Sequence, residues 1–152
     1  MYAVFAAIVK STMERVDGSH AAVPIEMMTY GRGGLGGSGG LCGALNGAAA
    51  AIGLYCPSHE QGALVRTLVR WFQSESLPVF VSPDSDPSHL TPPSVSASSD
   101  CHVSLAQWKE AAGGGVTRDQ RSERCRRLSA DAAAKAVELL NGLVGDDGSR
   151  CP

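Results

Sequence analysis

The sequence lacks an apolar run long enough to cross a membrane. Its most apolar stretch, residues 44–55, is interrupted by Asn46, Gly47 and Gly53, whereas a membrane-spanning helix needs about 20 apolar residues. A strong charge of one sign is also missing, since the formal net charge is -2. We therefore expect a soluble protein with no membrane span, and we expect neither nucleic acid nor an anionic membrane as partner. Residues 1–9 are apolar but lack the basic region of a signal peptide, so we interpret them as part of a mature helix and expect any export signal to lie upstream of this sequence.

Recognisable catalytic motifs are missing as well. No Ser/His/Asp order, paired carboxylates or conventional nucleophile motif rises above chance, and no C-x-x-C pair suggests zinc. Ser98 stands where the covalent attachment of haem c would need a cysteine before Cys101 and His102. We therefore expect a protein that is not an enzyme, with haem c possible only from a partner or a missing segment.

Hydrophobic periodicity predicts helices along most of the chain. The first helix should end near residues 17–18, and a small-residue helix should cover residues 44–54. The capping-box pattern of residues 58–61 predicts the start of a third helix. The expected core faces of the first and third helices consist of Phe5, Ile8, Val9, Met13 and Val16, and of Leu64, Leu68, Trp71 and Phe72.

Two further capping boxes predict the last helices. Residues 104–107 should open a short helix that the glycines at 113–115 close, and residues 117–120 should open the last one. The core stripe expected on the last helix is Ala133, Ala136, Val137, Leu140, Leu143 and Val144. A strand signal is confined to residues 79–81. The prediction is an all-α fold, with a single compact domain over residues 1–152 and about five helices.

Two irregular segments connect these helices. Residues 77–99 are rich in proline and serine, which predicts an extended strap over the surface. Most residues from 31 to 43 are glycine, and this loop contains G-x-G-x-x-G twice. A dinucleotide site requires alternating strands and helices, which are missing here. We therefore expect Gly36, Gly39 and Gly43 to let the backbone approach a cofactor or a partner helix closely.

The cysteines offer the clearest chemistry. There are five, namely Cys42, Cys56, Cys101, Cys125 and Cys151. An odd number is compatible with two disulfides and a free thiol, with a cysteine-ligated metal, or with an intermolecular bridge. Cys42 lies where the glycine loop becomes a helix, and a helix N-terminus lowers the pKa of a thiol. That position suits a ligand or a redox thiol, although a small buried residue in a tight turn fits it too.

The other candidates occupy less distinctive positions. Cys125 is predicted to face inward with Leu128 in an arginine-rich turn, either as a ligand of an anionic cluster or as an ordinary buried cysteine. Cys101 and His102 precede a helix, and either could bind a metal. The remaining candidates are His20 as an outside possibility, and Cys56 and Cys151 as disulfide partners or bystanders.

The block GGLCGALNGAAAAIGL, residues 39–54, resembles the C-GCAxxG-C-C family of redox-active proteins, and within it the domain of split-Soret cytochromes c. The likeness continues through residues 26–31, 101–108, 121–125 and 137–141. It therefore covers nearly the whole chain.

This resemblance implies an exported helical domain, periplasmic or extracellular, whose separated cysteines hold an iron–sulfur cluster of the 2Fe–2S type or another non-haem iron centre. By matching positions, Cys42, Cys101 and Cys125 take the ligand role. The function implied is that of an electron-transfer or metal-binding redox module. The family also implies a homodimer or a subunit of a redox assembly, with a cytochrome-type electron partner.

The sequence departs from the family pattern at the fourth ligand. Met1 stands where the family usually opens with a cysteine, and Lys109 stands where relatives often have one after the tryptophan. A cluster normally has four thiolate ligands, so Cys56, Cys151, His102 or another chain would have to complete the shell. The alternative is a degenerate, disulfide-stabilised structural subunit of a larger redox assembly, without a cofactor of its own.

Overall fold

The computed structural model describes residues 1–13 and 23–143, and within them the fold is built almost entirely of helices. The helices are α1 (Tyr2–Met13), α2 (Gly43–Tyr55), α3 (Ser58–Ser74), α4 (Cys101–Ala111) and α5 (Arg118–Asn141). Two 3-10 helices cover Ile25–Gly31 and Pro87–His89. The strands β1 (Ser76–Leu77) and β2 (Ser94–Val95) form a small antiparallel hairpin. The predicted all-α class is thus confirmed for a mostly helical domain.

Some predicted features lie outside the described residues. These are the end of the first helix at residues 17–18, the stripe residues Val16 and Val144, and the candidate ligands His20 and Cys151. None of the described helices is long and apolar enough to span a bilayer.

Helix α2 is the centre of the core, because α1, α3 and α5 all pack against it. Its small side chains allow these neighbours to come close, and Ala48, Ala51 and Ile52 are completely buried. Leu68 and Phe72 of α3 fill the space on one side, as the periodicity predicts. The core therefore surrounds a helix that contributes little volume of its own.

The capping box predicted at residues 58–61 is wrong, although α3 begins at the predicted place. Pro57 precedes the helix and makes no side-chain capping bond. The amide of Gln61 instead donates to the carbonyl oxygens of Gly53 at 2.9 Å and Cys56 at 3.0 Å. Because α2 ends directly before α3, Gln61 satisfies carbonyls at the end of α2 that have no partner within their own helix.

Of the two later capping boxes, one is present and one is not. Thr117 and Gln120 form the predicted reciprocal bonds at the start of α5, at 3.1 and 2.9 Å. Helix α4, however, begins at Cys101, ahead of the predicted start at Ser104. Ser104 is buried inside the helix and its hydroxyl bonds that of Ser96 at 2.8 Å. A tertiary contact therefore uses the hydroxyl that the pattern assigned to a cap.

The buried face of α5 is rotated from the predicted stripe. Leu128, Ala132 and Ala136 are buried, whereas Val137 is 39% exposed. Three other predicted members, Ala133, Leu140 and Leu143, are partly buried. The observed buried face therefore includes the polar side chains of Arg127 and Asp131, which contact the strap.

The strap of residues 77–99 lies along α5, and the side chains of Arg127 and Asp131 hold it there. Asp131 accepts the backbone N–H groups of Val79 at 2.9 Å and Phe80 at 3.0 Å. Arg127 donates to the carbonyl oxygens of Phe80 at 2.6 Å and Pro78 at 3.2 Å. The strand signal at residues 79–81 does not produce a strand, because the Asp131 carboxylate accepts the amides of Val79 and Phe80 that a neighbouring strand would have to use.

Candidate metal centre

One cleft of about 1010 Å³ is lined by Cys42, Cys101 and Cys125 together. Cys42 is the residue that precedes α2, Cys101 is the first residue of α4, and Cys125 lies in the first half of α5. These cysteines are 59 and 24 residues apart along the chain. Three separate elements therefore bring three thiols to the same space.

Main-chain hydrogen bonds hold the first two cysteines side by side. The N–H of Cys42 donates to Ser99 O at 2.8 Å, and the N–H of Cys101 donates to Gly40 O at 2.6 Å. An isolated antiparallel bridge between Leu41 and Asp100 lies between these bonds. The end of the glycine loop and the start of α4 are thus joined as a short ladder, and their relative position does not depend on side chains.

Cys125 is exposed, which corrects the prediction that it faces inward with Leu128. Arg124 and Leu128 lie on the buried face of α5, and Cys125 lies at the edge of the core. It still lines the cleft. The centre formed by these cysteines would therefore have one buried side and one side open to solvent.

The helix N-terminus does not make Cys42 acidic. Burial raises the pKa of the Cys42 thiol, and the N–H groups of Ala44 and Leu45 only partly oppose this effect. Burial also raises the pKa of Cys101, and the neighbouring Cys42 and Cys125 add to that rise. The predicted lowering is wrong because Cys42 is only 8% exposed and removal from water disfavours a thiolate. A metal ion would have to displace the thiol protons in order to bind.

Arg124 is the polar residue of this cleft that the sequence interpretation missed. Its side chain is 2% exposed, and its Nη2 donates to Ser104 Oγ at 2.7 Å and Ser104 O at 3.3 Å. The guanidinium carbon lies 5.4 Å from the centre of the Trp108 ring. Burial lowers the pKa of Arg124, whereas Cys125, Cys42 and Cys101 raise it. The only indication of this role in the sequence is that Arg124 directly precedes the candidate ligand Cys125.

The glycines of the loop serve two different purposes. Gly36 has φ +67°, and no atom lies within 4 Å of where a Cβ would be, so it satisfies a turn and not a close approach. Gly39 has φ +82°, and a Cβ there would lie 3.1 Å from the Cβ of His102. Gly36 lines the cleft with Gly43. Gly39 is not among the residues that line the cleft, and it lies against the start of α4.

The glycines of α2 make room for the first residue of the chain. A Cβ on Gly43 would lie 2.6 Å from Gly31 O and 3.2 Å from Met1 N. A Cβ on Gly47 would collide with Met1 O. Met1 lines the cleft as well. The GALNG segment therefore lets α1 begin beside the cysteines.

The structure separates the other candidate ligands from the cleft. Cys56 ends α2, whose 13 residues place it about 20 Å from Cys42 at 1.5 Å per residue. His102 is exposed, and its Nδ1 hydrogen-bonds Gly39 O at 2.8 Å. Cys42, Cys56, Cys101 and Cys125 are all free thiols. No disulfide is therefore present in the described part of the chain.

The donors fit a metal by chemistry but are not gathered around one point. In residues 1–13 and 23–143, no three His, Cys, Asp or Glu side chains already form a group that could hold a metal ion. Binding would therefore require the cysteine side chains to rotate toward each other. Three thiols beside a buried guanidinium nevertheless suit a soft, anionic metal–thiolate centre.

Comparisons with known proteins give a consistent picture. A family model described as "Putative redox-active protein (C_GCAxxG_C_C)" matches residues 2–139. Split-Soret cytochrome c from Desulfovibrio desulfuricans is 37% identical over 145 residues, covering 94% of this chain and 52% of the relative.

The fold is similar to a solved structure of split-Soret cytochrome c from the same organism, which is described as having a novel iron centre. The TM-score is 0.84 at 34% identity, covering 99% of this chain and 65% of that one. This chain thus spans about half the length of the curated relative it matches.

Proposed function

The chain belongs to the C_GCAxxG_C_C family of redox-active proteins and is related to split-Soret cytochrome c, and on that premise we propose that it is an electron-transfer module with an iron centre. Cys42, Cys101 and Cys125 would hold the iron. The observation that carries this proposal is the meeting of these three thiols in one cleft beside a buried arginine.

Iron bound by thiolates would supply a one-electron redox couple, as an iron–sulfur cluster of the 2Fe–2S type or as non-haem iron. The protein's own residues would supply the thiolate ligands. The centre would be buried on the side of Cys42 and would have an open edge, exposed to solvent, at Cys125. An open edge suits exchange of electrons with a second protein. The iron centre described for the related cytochrome supports the choice of metal.

The fourth ligand has several possible sources. The described residues that line the cleft include two methionines, Met1 and Met28, and a thioether is a soft ligand. Cys56 and His102 do not line the cleft, and we do not propose them as ligands. The other sources of a fourth ligand are Cys151, an inorganic sulfide and a ligand from another chain. Reconstitution has to distinguish these sources.

The module would pass electrons and turn over no small substrate by itself. We propose that it acts outside the cytoplasm as a homodimer or as a subunit of a redox assembly, with a cytochrome-type partner. Tyr2 and Tyr30 support a docked partner, since they line the cleft and are 38% and 52% exposed. Aromatic side chains in such positions are enriched at protein interfaces.

Anaerobic reconstitution with iron and sulfide tests the proposal. The wild-type protein should bind iron, absorb visible light and show a reversible potential, and Cys42→Ser, Cys101→Ser and Cys125→Ser should each lose most of this signal. Cys56→Ser is the matched control, because it removes a buried thiol outside the cleft and should leave the spectrum unchanged. A wild-type protein that binds no iron, alone or with partner chains, would refute the proposal.

The second candidate function is a structural subunit without a cofactor. The observation that favours it is that the described thiols are not yet gathered into a ligand group. The two functions differ in colour and in metal content. A colourless, iron-free protein that still assembles with a cytochrome partner would establish the structural role.

A further inference from the structure

Helix α5 carries two buried arginines one turn apart, and they have different surroundings. Arg124 is 2% exposed and Arg127 is 6% exposed. Burying a guanidinium removes its hydration, a cost that hydrogen bonds and neighbouring negative charge have to offset. The partners of each arginine therefore indicate its role.

Arg127 is accounted for by the fold. It donates to the carbonyl oxygens of Phe80, Pro78 and Thr91, all on the strap. Asp131, one turn further along α5, accepts the N–H group of Phe80. Arg127 and Asp131 thus bind the same segment of the strap. The positive charge of Arg127 has carbonyl partners there, and the negative charge of Asp131 has an N–H partner.

Arg124 is not accounted for in this way. Its described hydrogen bonds from Nη2 go to Ser104, and its Nε is buried without a hydrogen-bond partner. Within residues 1–13 and 23–143, no Asp or Glu forms a salt bridge with it. The groups that raise its pKa are instead the three cysteines of the cleft, Cys125, Cys42 and Cys101, which would be its negative partners once they are deprotonated.

Two residues of α4 hold the guanidinium of Arg124 in place. Trp108 packs against the guanidinium, and Ser104 accepts from Nη2 while its hydroxyl also bonds Ser96. These contacts fix the cation in a low-dielectric position on the wall of the cleft. A charge fixed in this way interacts strongly with any charge that forms beside it.

We infer that Arg124 is a positioning residue that supplies the counter-charge of the cysteine centre, holding it in its anionic form and raising its reduction potential. This inference rests on the proposed function. Reduction adds one electron to the centre and breaks no bond, so the centre becomes more negative by one charge. A fixed neighbouring cation stabilises the reduced form more than the oxidised form, and the potential therefore rises.

The test is a redox titration of the reconstituted protein, with dithionite as reductant, for Arg124→Gln, Arg124→Lys and Arg127→Gln. Arg124→Gln should favour the oxidised form by about tenfold in the one-electron equilibrium, which corresponds to a fall of about 59 mV in potential. Arg124→Lys keeps the positive charge and should recover most of the wild-type potential. Arg127→Gln should unfold at lower urea concentration and leave the potential unchanged.

A second control separates the buried charge from an exposed one. Arg121 also lines the cleft but is exposed to solvent, so Arg121→Gln should shift the potential less, and salt should abolish its effect. The shift caused by Arg124→Gln should persist at high salt. Iron loss in Arg124→Gln also supports a counter-charge, provided that Arg127→Gln retains its iron.

Equal potentials in wild type and Arg124→Gln would overturn the inference while leaving the proposed function intact. An equal fall in Arg124→Lys and Arg124→Gln would also overturn it, because charge would then not be the cause. A wild-type protein that takes up no iron would instead defeat the proposed function itself. The titration therefore distinguishes the failure of either idea.

Discussion

The two ends of α2 contain the same residue types, glycine and cysteine, in very different surroundings. At the N-terminal end, Gly43 and Gly47 lie against Met1 and Gly31, and Cys42 opens onto the cleft. At the C-terminal end, no atom lies within 4 Å of a Cβ built on Gly53. Neighbouring chain segments, and not residue type, therefore decide which glycines and cysteines can serve a site.

The largest effect is expected at Gly47. A methyl group there would collide with Met1 O and approach the Cβ of Val4 to 3.1 Å, so Gly47→Ala should lower the free energy of unfolding by about 2 kcal/mol. Urea denaturation followed by circular dichroism measures this. If Gly47→Ala is as stable as wild type, the close approach of α1 to α2 does not constrain this end of the helix.

A smaller loss is expected at the opposite end, at Gln61. Its amide satisfies carbonyl oxygens of Gly53 and Cys56, so Gln61→Ala should cost about 1 kcal/mol. Gln107→Ala is the control, since Gln107 is an exposed helical glutamine whose replacement should change stability by less than about 0.5 kcal/mol. Equal unfolding midpoints for the two variants would show that Gln61 does not cap α2.

The smallest change, and one of opposite sign, is expected at Gly53. Gly53 is exposed within α2 and its Cβ position is open, so Gly53→Ala should raise the free energy of unfolding by about 0.5 kcal/mol through helix propensity. The same urea experiment as for Gly47→Ala provides the measurement. If Gly47→Ala and Gly53→Ala change the free energy of unfolding in the same direction, the two ends of α2 do not differ in packing as described.

The helices were predictable from local pattern, and the details that build the cleft were not. The apolar spacing in α3 and the capping box at Thr117 act within a few residues, and the structure retains both. The Ser-x-x-Gln pattern at Ser104 has the same local form, yet Ser96 and Arg124 take its hydroxyl. Contacts between distant segments decide such cases, and a single sequence does not state them.

Buried charge was the main feature that the sequence interpretation missed. Arg124, Arg127 and Asp131 look like residues of a solvated helix face, and the apolar stripe of α5 was therefore placed too far round the helix. The prediction that Cys125 faces inward with Leu128 is also wrong, because the buried face of α5 contains Arg124 and Leu128 but not Cys125. The partners that offset these buried polar groups, Ser104 and the strap carbonyls, come from segments far away in sequence.

The main-chain ladder between the glycine loop and α4 affects how tightly the cysteines would bind a metal ion. Folding has already brought the backbones of Cys42 and Cys101 together, so a bound ion would meet them as a chelating pair with a high effective concentration. In the unfolded chain the same two thiols are 59 residues apart, and joining them would cost loop-closure entropy. Iron should therefore bind the folded chain more tightly than the unfolded one, and its binding should raise the unfolding midpoint.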